Sequence, residues 1–345
     1  MAQRVLIIGY YGSQNIGDDL ILESTIGLIR QGIAEADVRV LTYAIKETEQ
    51  RYGVVGVSRN DFKAILKAVA WSDVIVGGGG SMLQNVTSNR SLIYYLMLLF
   101  IAKLCGKKAI LLGNGVGPIK GWFYQKITFG ILKGLTRIVL RDQESYKLLK
   151  SQGLTNISNG ADLAFNLTLE PKNVPKEKLI LLNLRPWPMA IKPEAWVPAF
   201  IKTWEQKGYT IGLLPMQISK DDVMLEPFVS ETVNMYVTHS GQELTELIQR
   251  SELVVAMRLH ALIFSALAET ACVGISYDPK VTEFIKSEGQ IMACDTENLT
   301  LEAVNIAVEQ ALTSRHILEQ VLKERLQEDD SRIQQNPLAL QLINT

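Results

Sequence analysis

Short apolar runs alternate with segments of helical periodicity along almost the whole chain. In the first half, RVLII at 4–8, VRVLT at 38–42, DVIVG at 73–77, KAILLG at 108–113 and RIVLR at 137–141 read as strands. Helical patterns lie between and after them, near 18–30, 60–70, 91–104, 122–134 and 142–151. The strand runs have no polar face, so each needs cover on both sides, and the pattern predicts a doubly wound parallel sheet. A second series follows, LILLNLR at 179–185, YTIGLLP at 209–215, ELVVAM at 252–257, ACVGIS at 271–276 and QIMAC at 290–294. Between the two series, PKNVPKEK is rich in proline and lysine and reads as an interdomain linker. The expected fold is therefore α/β, with two Rossmann-like domains, 1–170 and 171–345, facing each other across a cleft. From Leu301 the chain reads as helical to about residue 333, and its final turns are candidates for packing back on the first domain. The tail QQNPLALQLINT carries no pattern of its own, and no internal repeat is present.

Composition changes this picture in a few places. At 345 residues and 47% hydrophobic content the chain can bury two cores. Its 35 basic and 36 acidic residues leave no global field for nucleic acid, so no nucleic-acid partner is expected. Cys105, Cys272 and Cys294 are odd in number and far apart, which suits neither a disulfide framework nor a CxxC site. No His/Cys/Asp cluster has metal-ligand spacing, so no metal is expected. MAQRVLIIG is too short in its apolar part for a signal peptide, and a cytoplasmic location fits. The longest apolar stretch, LIYYLMLLFIA at 92–102, falls well below the roughly 20 residues that span a bilayer. It reads as a buried helix, with a membrane-surface contact as the alternative. WFYQKITFGILK at 122–133 has the same two readings, a sheet-covering helix or a basic and aromatic face lying on the cytoplasmic membrane.

The candidate chemistry lies at strand ends, which face the ligand crevice in an open α/β sheet. In LVVAMRLHALIFSALAET, Arg258 and His260 stand where a strand passes into a helix, and Lys280 follows twenty residues beyond His260. Three cationic groups there need an anion to be tolerable, and His260 supplies a proton shuttle near neutral pH. His239 and His316 sit in polar surroundings. Arg185 in LNLRPWP and Gln217 in PMQ occupy matching strand ends, and Trp187 either stacks on a sugar or a hydrophobic part of the donor or is a packed interdomain residue. Arg141 in VLRDQES either pairs with Asp142 or Glu144 or clamps an anionic ligand, and Asp142 is the expected helix cap.

Three loops of the first domain complete the set. GYYGSQNIGDD, Gly9 to Asp19, opens the first helix, and its Asn15 and Asp18 are placed either to cap that helix or to bind sugar hydroxyls. GGGGS brings Gly79 and Ser81, and GNGVGP brings Asn114, where small residues suit close approach to a ligand or tight packing. Neither the GxGxxG fingerprint nor a Walker A loop is present, which disfavours a nicotinamide oxidoreductase.

Taken in order, GYYGSQNIGDD, GGGGS, GNGVGP, VLRDQES, MRLHAL and SYDPK resemble the polysaccharide pyruvyl transferases, in particular the cell-wall pyruvyltransferases of the CsaB type. The resemblance implies a glycosyltransferase-B-like fold and transfer of pyruvate from phosphoenolpyruvate to a sugar as a cyclic ketal, without a cofactor. In the cell-wall members the acceptor is N-acetylmannosamine of a lipid-linked precursor at the cytoplasmic face. It assigns the acid/base histidine to His260 and donor-binding residues to Arg141 and Lys280. With Arg258, also counted catalytic, and Arg185, these would hold the donor's carboxylate and phosphate. Asn15, Asp18, Gly79, Ser81 and Asn114 are the acceptor-side candidates. A nucleotide-sugar glycosyltransferase is the competing enzyme class, and a non-catalytic carbohydrate-binding protein the competing non-enzyme.

Overall fold

The computed structural model describes residues 2–33, 35–86, 88–170 and 174–343. The chain forms two compact units, one of Met1–Thr168 with Asp329–Thr345, the other of Leu169–Glu328.

The first unit runs β1 (Gln3–Tyr11), α1 (Ile16–Gly32), β2 (Ala36–Thr42), α2 (Ile45–Tyr52), β3 (Val55–Ser58), α3 (Phe62–Trp71), β4 (Val74–Leu83), α4 (Asn89–Leu104), β5 (Lys108–Val116), α5 (Trp122–Leu132), β6 (Arg137–Leu140), α6 (Gln143–Ser151) and β7 (Ile157–Asn159). Its strands form one parallel sheet in the order β3-β2-β1-β4-β5-β6-β7, which reverses direction between β1 and β4. Side chains of α3, α4, α5 and α6 share one core with one face of this sheet, and α1 covers the other. The apolar runs of β1, β4 and β5 are buried because both faces are covered. Side-chain caps start the helices: Asn15 for α1, Asp61 for α3, Ser88 for α4 and, as expected, Asp142 for α6.

β3 and β7 give no apolar run because they are short edge strands, and β3 has one exposed and three half-buried residues. α2 is almost wholly polar, with Thr48 its one buried residue. β4 extends through the glycine run, where Gly77 and Gly78 keep register with Leu111 and Leu112 of β5.

The second unit runs β8 (Leu179–Asn183), α7 (Pro193–Gln206), β9 (Thr210–Leu213), α8 (Asp221–Leu225), β10 (Asn234–Met235), α9 (Gly241–Arg250), β11 (Leu253–Ala256), α10 (Leu259–Leu267), β12 (Cys272–Ser276), α11 (Pro279–Ser287), β13 (Ile291–Asp295), α12 (Leu301–Thr313) and α13 (Arg315–Glu328). The sheet is again parallel, ordered β10-β9-β8-β11-β12-β13, and it reverses between β8 and β11. Trp196, Phe200 and Trp204 of α7 pack on one of its faces with Val304 and Val308 of α12. Of the expected linker, residues 171–173 lie outside the described residues, and 174–178 is irregular backbone leading into β8.

The stretch from Leu301 is not one helix but two, α12 and α13, broken at Ser314. It continues as α14 (Asp330–Ile333) and α15 (Gln335–Gln341), so residues 335–341 of the unpatterned tail are helical. Ala339, Leu340 and Ile343 enter the core beneath α1, and buried Asn336 donates to the carbonyl of Ala161 and to Asn166 Oδ1. A single short helix that buries only a few apolar residues is too brief to show a period.

Candidate active site

In doubly wound sheets the ligand crevice lies beyond the carboxyl ends of the strands, where strand order reverses. In the second unit this point lies between β8 and β11. Asn183 ends β8 and spans it: Oδ1 accepts from the Arg258 backbone N–H at 2.9 Å, and Nδ2 donates to the Leu214 carbonyl at 2.8 Å. Arg258 occupies the N-cap position of α10, yet its side chain does not cap the helix. It reaches Asp221 at the start of α8, with Nε and Nη2 each 2.5 Å from a carboxylate oxygen, and Nη2 also donates to Gln217 Oε1 at 3.0 Å. Asp221 is 0% exposed and accepts in addition from the backbone N–H groups of Met216 and Gln217.

One carboxylate thus ties the loop after β9 to the loop after β11. The expectation that Arg258 adds an uncompensated charge is corrected, since Asp221 neutralises it within the chain. The ion pair uses Nε and Nη2, so Nη1 is the guanidinium edge outside these contacts. His260 follows as the second residue of α10, half-buried, in the turn whose backbone N–H groups favour an anion.

Arg185 and Lys280 share an aromatic partner. The Arg185 guanidinium lies 4.3 Å from the Tyr277 ring centre and 5.0 Å from that of Trp187, and Lys280 Nζ lies 5.6 Å from Tyr277. Trp187 and Tyr277 pack at 5.0 Å, and Trp187 is 36% exposed, so it is a surface residue with one face on Tyr277. Arg185 Nε is buried without a hydrogen-bond partner among the described residues. Among the described residues Lys280 has one carboxylate near it, Asp278 at 3.6 Å. Two cations gathered on one tyrosine, with little opposing charge, suit a doubly charged small anion.

In the first unit Arg141 stands just beyond β6. Its main partner is neither Asp142 nor Glu144 but Asp162, at 2.8 Å from Nη1, with Asp142 farther off at 3.8 Å from Nε. Nη2 donates to Ser81 Oγ at 2.8 Å, so two residues singled out separately are in contact.

Two acceptor-side expectations are corrected. Asn114 is 0% exposed and donates its amide nitrogen to the carbonyls of Gly77 and Leu112, so it presents no surface to a sugar. Gly79 is required by packing, because a Cβ there would meet Ile21 and Leu163, and its φ of +60° disfavours a side chain. Asn15 is the cap of α1, accepting from Gly17 N and donating to Asp18 Oδ2 at 2.7 Å. Asp18 and Ser81 remain half-buried, and the open position of the glycine run is Gly80, near Asp18 Oδ1.

A model described as polysaccharide pyruvyl transferase matches residues 15–279, a span that holds every strand-end residue of the site except Lys280, one position beyond it. The chain belongs to the polysaccharide pyruvyl transferase family. As a pyruvyl transferase it is an enzyme that moves a pyruvyl group from phosphoenolpyruvate to a sugar. The amylovoran biosynthesis protein AmsJ of Erwinia amylovora is 23% identical over 300 residues, 74% of this chain and 69% of that protein. Solved structures of similar fold include S. aureus MnaA with UDP, at TM-score 0.64 and 9% identity over 98% of this chain and 94% of that one. The UDP-GlcNAc 2-epimerase of Methanocaldococcus jannaschii follows at TM-score 0.62 and 13% identity, over 90% and 92%. The fold of this pyruvyl transferase is glycosyltransferase-B-like. Among the described residues no group of three or more His, Cys, Asp or Glu is placed to hold a metal ion.

Sequence reasoning missed Asp221 and Asp162, which carry no motif and lie 37 and 21 residues from the arginines they hold. It also missed Arg59, a buried guanidinium ringed by Tyr10, Tyr43, Tyr94 and Tyr95 and bonded to the Gly9 carbonyl at 2.9 Å.

Asp19, beside Asp18, is a titratable residue in the first turn of α1. Burial pushes its carboxyl up to about 6, against the opposing pull of Arg51 and the Gly12 N–H. The folded state therefore holds a proton that the unfolded chain has lost between its ordinary value and about 6. Stability falls as pH rises through that window, and above it the buried carboxylate is a standing cost. Asp19→Asn should raise the melting temperature at about pH 7.5, with the gain vanishing near pH 4. Thermal melts at the two pH values test this, and an equal gain at both would contradict it.

Proposed function

We propose that this pyruvyl transferase builds a cyclic pyruvyl ketal on N-acetylmannosamine of a lipid-linked cell-wall polysaccharide precursor at the cytoplasmic face, with His260 as the proton donor. The observation that carries the assignment of His260 is the Asn183–Arg258–Asp221 network, which holds the turn bearing His260 at the strand-order reversal of the second unit. Arg185 and Lys280, gathered on Tyr277, are assigned to the donor's phosphate and carboxylate, with Arg258 contributing Nη1. Arg141 is assigned to the donor on the strength of the family resemblance, and Ser81 and Asp18 to the acceptor.

In this reading His260 protonates the methylene carbon of phosphoenolpyruvate while one sugar hydroxyl attacks C2. The C2–O bond to phosphate then breaks, and a second hydroxyl of the same sugar closes the ketal. The donor's C3 gains one proton and the departing phosphate takes the balance, so no electrons are exchanged. Histidine suits the role because its proton affinity lies close to the working pH.

The test incubates the purified protein with phosphoenolpyruvate and a panel of lipid-linked and soluble acceptors. Phosphate release and the mass of the sugar product are measured together. Stoichiometric phosphate and ketal on the N-acetylmannosamine acceptor are expected. Lys280→Ala in the same assay should raise the KM for phosphoenolpyruvate more than it lowers kcat. Ketal formed only on another sugar would overturn the acceptor, and an unchanged donor KM would overturn the role of Lys280.

A further inference from the structure

Between Val74 and Arg141 the chain contains no aspartate or glutamate, while nine of its residues are lysine or arginine. Since the whole protein has a net charge of -1, the acidic excess lies elsewhere. This segment supplies α4 and α5, which pack together, and α3 precedes them on the same face of the first unit's sheet.

The outward faces of these helices are apolar as well as basic. On α5, Trp122 is 71% exposed and Phe123 61%, with Lys126 Nζ 5.0 Å from the Trp122 ring centre. On α4, Ile93, Phe100 and Leu104 follow at steps of seven and four residues, so they form one stripe, and Leu104 is 70% exposed. On α3, Phe62 and Leu66 alternate with exposed Lys63 and Lys67. None of the three helices contains an acidic residue. Among the described residues no helix is long and apolar enough to cross a membrane.

We propose that the outer face of α3, α4 and α5 is a docking surface for an anionic lipid bilayer. Apolar side chains interleaved with lysines suit the headgroup boundary, where aromatic and aliphatic groups enter the acyl region and ammonium groups meet lipid phosphate. A second copy of the chain is a poor occupant, because a two-fold contact would set the same lysine-rich patch against itself. Nucleic acid would satisfy the cations and stack on the aromatic rings, but it would leave the exposed aliphatic side chains of Leu66, Ile93 and Leu104 without an apolar partner. The inference stands on the surface itself and does not depend on which sugar is the acceptor.

The full chain is floated with vesicles of phosphatidylcholine alone and of phosphatidylcholine mixed with phosphatidylglycerol, at low and high salt. Binding to the anionic vesicles, at least about tenfold stronger than to the neutral ones and weakened by salt, is expected. Trp122→Ser with Phe123→Ser, and separately Lys103→Glu with Lys126→Glu, should each cut that binding about tenfold or more. Both variants should keep the parent's melting temperature and its thermal shift with phosphoenolpyruvate, because the altered side chains are exposed and lie outside the proposed site. Equal binding to both vesicle types, parental binding by either variant, or self-association that Trp122→Ser and Phe123→Ser abolish without any vesicle binding would overturn the proposal. Loss of the phosphoenolpyruvate shift in the parent would count against the donor assignment and leave this one standing.

Discussion

Replacing His260 with alanine should lower kcat for pyruvyl transfer at least about 100-fold, the low end of what a positioned proton donor contributes. The change should be confined to chemistry. His260 is half-buried at the second position of α10, alanine is a good helix former, and the fully buried side chains of that helix, Leu262, Ile263 and Phe264, are untouched. The turn itself is held by Asn183 and Asp221 through Arg258, neither of which is altered. The variant should therefore melt like the parent and still bind phosphoenolpyruvate. Single-turnover rates with saturating donor give the direct readout, and a rate near that of the parent would remove His260 from the mechanism.

The largest effect on stability is expected from Asp221→Ala. Asp221 is wholly buried and accepts both the Arg258 guanidinium and two backbone N–H groups. Its loss leaves a buried cation without a counter-charge, a change that costs about 3–5 kcal/mol. The second unit should unfold at markedly lower urea concentration. Adding Arg258→Met should recover part of the loss by removing the stranded charge. The Met216 and Gln217 N–H groups stay without their acceptor, so recovery should be incomplete. Additive urea midpoints for the two changes would mean that the ion pair is not the coupling element. If Arg258 also contacts the donor, the double variant regains stability without regaining transfer.

Much of the fold was legible from the chain. Apolar runs marked the central strands of both sheets because a strand covered on both faces must be apolar along its length, and that is a local property. The edge strands β3, β7 and β10 escaped for the converse reason, being short and, in β3 and β10, without a fully buried residue. The segment from Leu301 was legible as helix but not in its break at Ser314. At the strand ends, Arg258, His260, Arg185, Lys280, Arg141 and Ser81 were named from position alone. Which of them touch was not legible: Ser81 meets Arg141, Arg185 and Lys280 share Tyr277, and both Arg141 and Arg258 are answered by buried aspartates. Asn114 and Gly79 looked ligand-facing because polar and small residues at strand ends serve ligands and packing alike, and only burial separates the two uses.

The sequence by itself determined the two α/β series, the strand ends that bear the cations and the acid-free segment behind α4 and α5, since each is a property of neighbouring residues and of local period. The tertiary structure alone decided charge compensation and packing. Asp221 and Asp162 act across 37 and 21 residues, and the tail helix α15 enters the core of the unit formed by the start of the chain. Whether a cation is neutralised or a small residue is packed depends on what the topology brings within a few ångströms, and no local pattern records that.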